Sequence, residues 1–117
     1  MNYYSKEICV VIPCYNVSKH ITNVIQSIPD IVGHIILVND KSSDNTNDIV
    51  NSLAASDGRL ICLEHFENKG VGGAVITGMK KAIELGCNYI IKIDGDGQMD
   101  TRYLPQLLNP LIQSDFH

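Results

Sequence analysis

Four short apolar runs rich in β-branched residues alternate with four segments of helical period, and this alternation narrows most what the chain can fold into. It is the signature of a doubly wound, Rossmann-like α/β domain with a parallel sheet, built in the order β-α-β-α-β-α-β-α. Strands are expected from Ile8 to about Cys14, over Ile35-Ile36-Leu37-Val38, from about Leu60 to His65, and over Tyr89-Ile90-Ile91-Lys92-Ile93. Between the first two, Ile21, Val24, Ile25 and Ile28 share a helical face, with Pro29 near its end. After the second, Ser42-Ser43-Asp44 offers N-cap groups to a helix that turns Ile49, Val50 and Leu53 inward. A third helix runs from about Gly70 to Leu85, with Val71, Ala74, Val75, Met79, Ala82 and Ile83 at helical spacing and Gly86 as its stop. A last helix begins near Thr101, tolerates Pro105 in its first turn, and turns Leu104, Leu107, Leu108 and Leu111 inward.

Right-handed crossovers and sequential pairing favour the strand order 3-2-1-4, in which strands one and four lie side by side. Ligands of open α/β sheets bind outside the carboxyl ends of the strands where the order reverses. Pro13-Cys14-Tyr15-Asn16 and Asp94-Gly95-Asp96 are therefore expected to line one crevice, with Asn39-Asp40 at its border.

The length of 117 residues supports one domain with a real core and is too short for two. A net charge of −4 with scattered basic residues argues against nucleic acid as a partner. Cys9, Cys14, Cys62 and Cys87 form no C-x-x-C pair and fall in or beside apolar runs. They read as small core residues of a reducing compartment rather than a disulfide framework or a zinc site. The segment before Ile8 is short and polar, unlike a signal peptide, and no apolar run approaches the ~20 residues needed to cross a bilayer. The expected location is the cytoplasm or a cytoplasmic membrane face.

The strongest chemical signal is Ile-Lys-Ile-Asp94-Gly95-Asp96-Gly97-Gln98-Met99-Asp100, which places two carboxylates one residue apart where a buried strand emerges. Mg²⁺ and Mn²⁺ take hard oxygen ligands, commonly one or two carboxylates completed by phosphate oxygens and water. Gly95 and Gly97 supply the backbone freedom for both acids to converge. Taken alone, the string reads about equally well as a solvated Gly/Asp turn. An EF-hand loop is excluded, because Met99 stands where its glycine is required, Pro105 where its bidentate glutamate is required, and a β-run precedes it.

Val38-Asn39-Asp40-Lys41-Ser42-Ser43-Asp44 ends a strand in an acid that can accept a hydrogen bond from a nucleobase N–H, although either acid can also serve as a helix cap, the preferred reading for Asp44. Asn68-Lys69-Gly70-Val71-Gly72-Gly73-Ala74 opens a helix with close glycines but has Val75 where a dinucleotide fingerprint needs its third, so helix packing explains it as well as ligand contact does. Tyr15 offers a ring for a base to stack on, or a plain core edge, and Asn16 lies within reach of the same ligand. His20, His34, His65 and His117 are isolated in sequence and carry no assigned role. No nucleophile-and-base pair stands out and G-x-S-x-G is absent.

Together, Val-Val-Ile-Pro13-Cys-Tyr15-Asn16, Leu-Val-Asn39-Asp40-Lys-Ser-Ser-Asp44, Asn68-Lys-Gly70-Val-Gly72-Gly73-Ala74 and Asp94-Gly-Asp96-Gly-Gln98 resemble glycosyltransferase family 2 in order and spacing over nearly the whole chain. The resemblance implies the N-terminal half of a GT-A fold, with residues 1–117 a single nucleotide-sugar-binding domain, and a metal-dependent inverting sugar transfer from a nucleotide-sugar donor. It implies that Pro13, Tyr15 and Asn16 lie along the nucleoside, that Asp40 reads the base, and that Asp94 and Asp96 form the D-x-D site for Mg²⁺ or Mn²⁺ and the donor. Gln98 is similar to the extra metal ligand of the polyprenyl-phosphate branch, and the family resemblance implies a saccharide or a polyprenyl phosphate as acceptor. Asn39-Asp40-Lys41 departs from the family's usual Asp-Asp-Gly and leaves one carboxylate where there are often two.

The family's catalytic base is expected on a segment past His117, and any membrane contact through segments outside this chain. A sugar-phosphate nucleotidyltransferase would need a glycine- and arginine-rich loop after the first strand, where Pro13-Cys-Tyr-Asn-Val stands. A receiver-like signalling domain also clusters acids at strand ends, and differs in binding metal without nucleotide.

Overall fold

The computed structural model describes residues 8–97. Within them the chain forms β1 (Ile8–Cys14), α1 (Ile21–Gln26), β2 (His34–Asn39), α2 (Thr46–Ala54), β3 (Leu60–Glu64), α3 (Gly70–Glu84) and β4 (Tyr89–Lys92). The fourth expected helix, with Leu104, Leu107, Leu108 and Leu111, lies outside the described residues, as does Gln98.

The strands form one parallel sheet in the order β3-β2-β1-β4, the order expected from the sequence. Every residue of β1 is buried, because it is hydrogen-bonded on both edges and covered on both faces. Alternate side chains go to opposite layers. Ile8, Val10 and Ile12 join Ile21, Val24, Ile25, Ile35 and Leu37 beneath α1 and α2, whereas Cys9 and Val11 join Ile36, Val38, Ala74 and Ala82 beneath α3.

The α3 layer corrects one expectation. Val71, Met79 and Ile83 are exposed, and the buried face is Ala74, Gly78 and Ala82. Small side chains at i, i+4 and i+8 allow the helix to sit close on the strands. A Cβ at Gly78 would collide with Cγ1 of Val11 and press on Cγ2 of Val38 at 3.3 Å. The helix stops as expected at Gly86, where a φ of +79° favours glycine. There the Gly86 and Cys87 N–H groups bond Ile83 O and Ala82 O, a Schellman arrangement that satisfies carbonyls at the helix end.

That turn leads to a second correction. Cys9 and Cys87 are joined in a disulfide across 78 residues, with Cα atoms 6.1 Å apart, so only Cys14 and Cys62 are free. The pairing of β1 with β4 sets Cys9 opposite Ile90 and brings the α3–β4 turn over it, a proximity that spacing along the chain does not reveal.

The close approach at Gly78 yields a stability prediction. In an isolated helix Ala is favoured over Gly by about 1 kcal/mol. Here Gly78→Ala is expected to destabilise by ~1–3 kcal/mol, because the added methyl overpacks against Val11. Urea denaturation measures it, and a variant as stable as the parent would refute the contact.

Candidate functional site

Main-chain rungs continue past the strands and align the loops at their carboxyl ends. The Asp40 N–H donates to Cys14 O at 2.8 Å and the His65 N–H to Asn39 O at 2.9 Å. Three consecutive connections are thereby held side by side. Among them opens a cavity of about 560 Å³, lined by Pro13, Cys14 and Tyr15 after β1, Asp40 and Lys41 after β2, and Asn68, Gly70, Val71 and Ala74 at the start of α3.

The β1–α1 connection is fixed by a polar clamp. Asn16 takes a left-handed φ of 53°, which its short polar side chain tolerates, and so does Lys41 opposite at 57°. Oδ1 of Asn16 accepts from the Ser43 N–H at 2.8 Å and the Asp44 N–H at 3.3 Å, while the Asn16 N–H donates to Ser42 Oγ at 3.0 Å. Asp44 Oδ1 accepts from the Thr46 N–H at 3.0 Å, its Oδ2 from the Ser18 N–H at 3.3 Å, and the Val17 N–H donates to Thr46 Oγ1 at 3.0 Å. Asp44 therefore serves the start of α2, as expected, and also ties α2 to the neighbouring loop. Asn16 does not line the cavity; its side chain holds the loop that carries Tyr15.

Tyr15 lines the cavity with 53% of its surface exposed, in keeping with a stacking platform and not with a core edge. Cys14 lies beside it, but burial, with a smaller push from Cys62, raises its thiol to about 12, so it offers no thiolate nucleophile at neutral pH.

Asp40 is 3% exposed, and its carboxylate does not cap its own helix. Its Oδ1 accepts from the Lys69 N–H, which begins α3, at 2.8 Å and lies 2.8 Å from Nδ1 of His65. Asn68 Nδ2 donates to the Asp40 carbonyl at 3.1 Å. Burial pushes the Asp40 carboxyl up, but hydrogen bonds from Lys69, His65 and Gly70 outweigh it and hold the group below its ordinary value. Asp40 is thus an ionised acceptor at the cavity wall. His65, passed over in the sequence, follows β3 as Asp40 follows β2, and the parallel register of Asn39 with Glu64 sets the two side by side. That offset of one beyond paired strands is the signal that finds it.

The second acidic element lies across β1. The Ile93 N–H donates to Val11 O at 3.0 Å, and a Cβ at Gly95 would stand 3.3 Å from Pro13 O and from Cγ2 of Ile12. Gly95 thus sits where a larger residue would be tight, whereas Gly97 adopts a φ of +80° beside His20. Pro13 thus borders both the cavity and the acidic loop. Asp94 and Asp96 are not among the cavity's lining residues: Asp94 is ion-paired with Lys92, and Asp96 is exposed. Among the described residues no group of three or more His, Cys, Asp or Glu side chains converges as a metal cage. Two hard carboxylates on a partly exposed turn fit Mg²⁺ or Mn²⁺ as an incomplete donor set, of the kind finished by substrate oxygens and water.

The chain matches the model of a family described as "Glycosyl transferase family 2" over residues 9–116. It is 37% identical to a UDP-N-acetylglucosamine--dolichyl-phosphate N-acetylglucosaminyltransferase of Methanococcus voltae, covering 92% of this chain and 48% of that protein. It is 29% identical to an undecaprenyl-phosphate mannosyltransferase of Micrococcus luteus, covering 92% of this chain and 45% of that protein. The chain thus spans about half the length of these relatives. Among solved structures, S. aureus TarS residues 1–349 in complex with UDP superposes with a TM-score of 0.76 at 22% identity, covering 92% of this chain and 32% of that one, a likeness of fold.

The clamp predicts an acid response. Burial opposes ionisation of Asp44, but hydrogen bonds from Thr46 and Ser18 prevail and lower it to about 2. A depressed carboxyl contributes stability that is fully present above its unfolded value near 3.8 and is lost as pH falls toward about 2. Asp44→Asn is expected to lower stability at neutral pH and to flatten the loss across that window, as read by denaturation midpoints at each pH. An unchanged acid limb would remove Asp44 from the account.

Proposed function

The chain belongs to glycosyl transferase family 2, and on that premise we propose that it supplies the donor-binding half of a metal-dependent, inverting transferase. The donor is a nucleoside-diphosphate sugar and the acceptor a polyprenyl phosphate or a saccharide hydroxyl. The observation that carries the reading is the cavity at the sheet's switch point, with Tyr15 and Asp40 on its walls and Gly95, between the two acids, close to its Pro13 border. Both relatives described above are named for transfer to a lipid phosphate, which favours that acceptor.

In this reading residues 1–117 form a single nucleotide-sugar-binding domain. Tyr15 stacks on the base, the Asp40 carboxylate accepts a base N–H, and Pro13 lies along the nucleoside. Asn16 fixes the loop that presents them. Asp94 and Asp96, with Gln98 beyond the described residues, hold Mg²⁺ or Mn²⁺. The bound ion supplies neutralisation of charge on the departing diphosphate.

A phosphate acceptor is already anionic and attacks without a base, whereas a hydroxyl acceptor needs one, proposed to lie past His117. Placement at a cytoplasmic membrane face belongs to the same proposal, since lipid-phosphate acceptors reside in the membrane.

Calorimetric titration of the chain with UDP and with GDP, each with Mn²⁺ and with EDTA, tests the proposal. Metal-dependent binding of at least one nucleotide is expected, and silence toward both would overturn it. Asp96→Ala is expected to keep the fold by circular dichroism and to weaken the Mn²⁺-dependent binding about ten-fold or more, equivalent to roughly 1.4 kcal/mol. An unaltered affinity would take Asp96 out of the site.

A further inference from the structure

We infer that His65 is the positioning residue that fixes Asp40 as a hydrogen-bond acceptor in the cavity, and through it sets which nucleobases the cavity prefers; the inference rests on the donor-binding reading above. His65 is 7% exposed and does not line the cavity, so any influence on a ligand passes through the carboxylate it touches. Its ring is held at both nitrogens: Nδ1 lies 2.8 Å from Asp40 Oδ1, and Nε2 lies 2.8 Å from Thr77 Oγ1 on α3. Thr77 Oγ1 also lies 3.1 Å from Gly73 O, one helical turn back.

Proton bookkeeping makes this arrangement one-directional at Asp40. The Thr77 hydroxyl has a single proton. Given to Gly73 O, it leaves the oxygen to accept from Nε2–H, and the ring is an imidazolium. Given to Nε2, it makes the ring neutral. In both cases Nδ1 carries a proton and donates to Asp40, because an ionised carboxylate only accepts. Rotation of one hydroxyl therefore absorbs the difference, and the carboxylate meets the same donor throughout.

Oδ1 is thus saturated by His65 and by the Lys69 N–H. The acceptor capacity left on Asp40, beyond these two donors and the pull of the Gly70 N–H, suits a base edge that presents a ring N–H, as uracil and guanine do. It opposes cytosine, whose corresponding ring nitrogen is itself an acceptor. A carboxylate released from His65 can rotate or take a proton, and its preference should fade.

The two amide variants separate this role from mere packing. The Asn side-chain nitrogen falls near the place of Nδ1, and the longer Gln side chain reaches toward the place of Nε2 and Thr77. UDP, GDP and CDP are titrated with Mn²⁺ into the parent chain, His65→Asn, His65→Gln and Asp40→Asn. The parent is expected to prefer UDP or GDP over CDP by about ten-fold, the scale of one charge-assisted hydrogen bond. His65→Asn is expected to keep most of that ratio, and His65→Gln to bring it within about two-fold.

A parent that binds no nucleotide, or binds all three alike, defeats the donor-site reading and this inference with it. Loss of preference in Asp40→Asn with the parent ratio retained in His65→Gln overturns the role of His65 alone. So does a uniform weakening of all three nucleotides by His65→Gln. If His65→Gln does not fold, Thr77→Val, which removes only the outer anchor of the ring, is expected to shift the same ratio, and an unshifted ratio would overturn the inference.

Discussion

The site depends on the placement of β1 between β2 and β4. Its seven residues are all buried, and it pairs with β2 from Cys9 to Cys14 and with β4 from Ile8 to Val11. Backbone groups withdrawn from water are costly unless paired, so the strand is locked in register. A slip of one residue would exchange Val10 and Ile12, which pack beneath α1 and α2, with Cys9 and Val11 on the α3 side. That register decides where Pro13 emerges, and Pro13 is the border shared by the cavity and the acidic loop after β4.

Beyond the strand ends, polar groups take over the work of apolar packing. The buried Asn39 side chain accepts from the Ser42 N–H, Asn16 bridges two loops, and Asp40 binds the first residues of α3. Each of these side chains satisfies loop N–H groups that no strand or helix pairs. The same bonds lower the Asp40 and Asp44 carboxyls against the opposing pull of desolvation. Order in the loops and negative charge at the site thus have a common origin.

Most of the fold was legible because β-branched runs and helical spacing are local signals. The strand order followed from crossover handedness, and Gly86 announced the end of α3. The inward face of α3 was misread for a physical reason. Periodicity weights large side chains, yet the helix lies so close to Val11 and Val38 that only Ala74, Gly78 and Ala82 fit beneath it, and Ile83 is left 68% exposed. The His65–Asp40 and Cys9–Cys87 pairings were hidden because each joins residues far apart in sequence that meet only once the strands are ordered. Asp40 and Tyr15 were legible as cavity residues, whereas Asn16 turned out to act on its neighbouring loop.

Because one carboxylate both walls the cavity and fastens the beginning of α3, the two properties cannot be tuned separately. Exchanging Asp40 for a residue that suits a different guest would strip the Lys69 N–H of its acceptor and strand a buried imidazole. Divergence in what such a cavity admits is therefore channelled to residues that hold nothing in place, of which the half-exposed ring of Tyr15 is the plainest example.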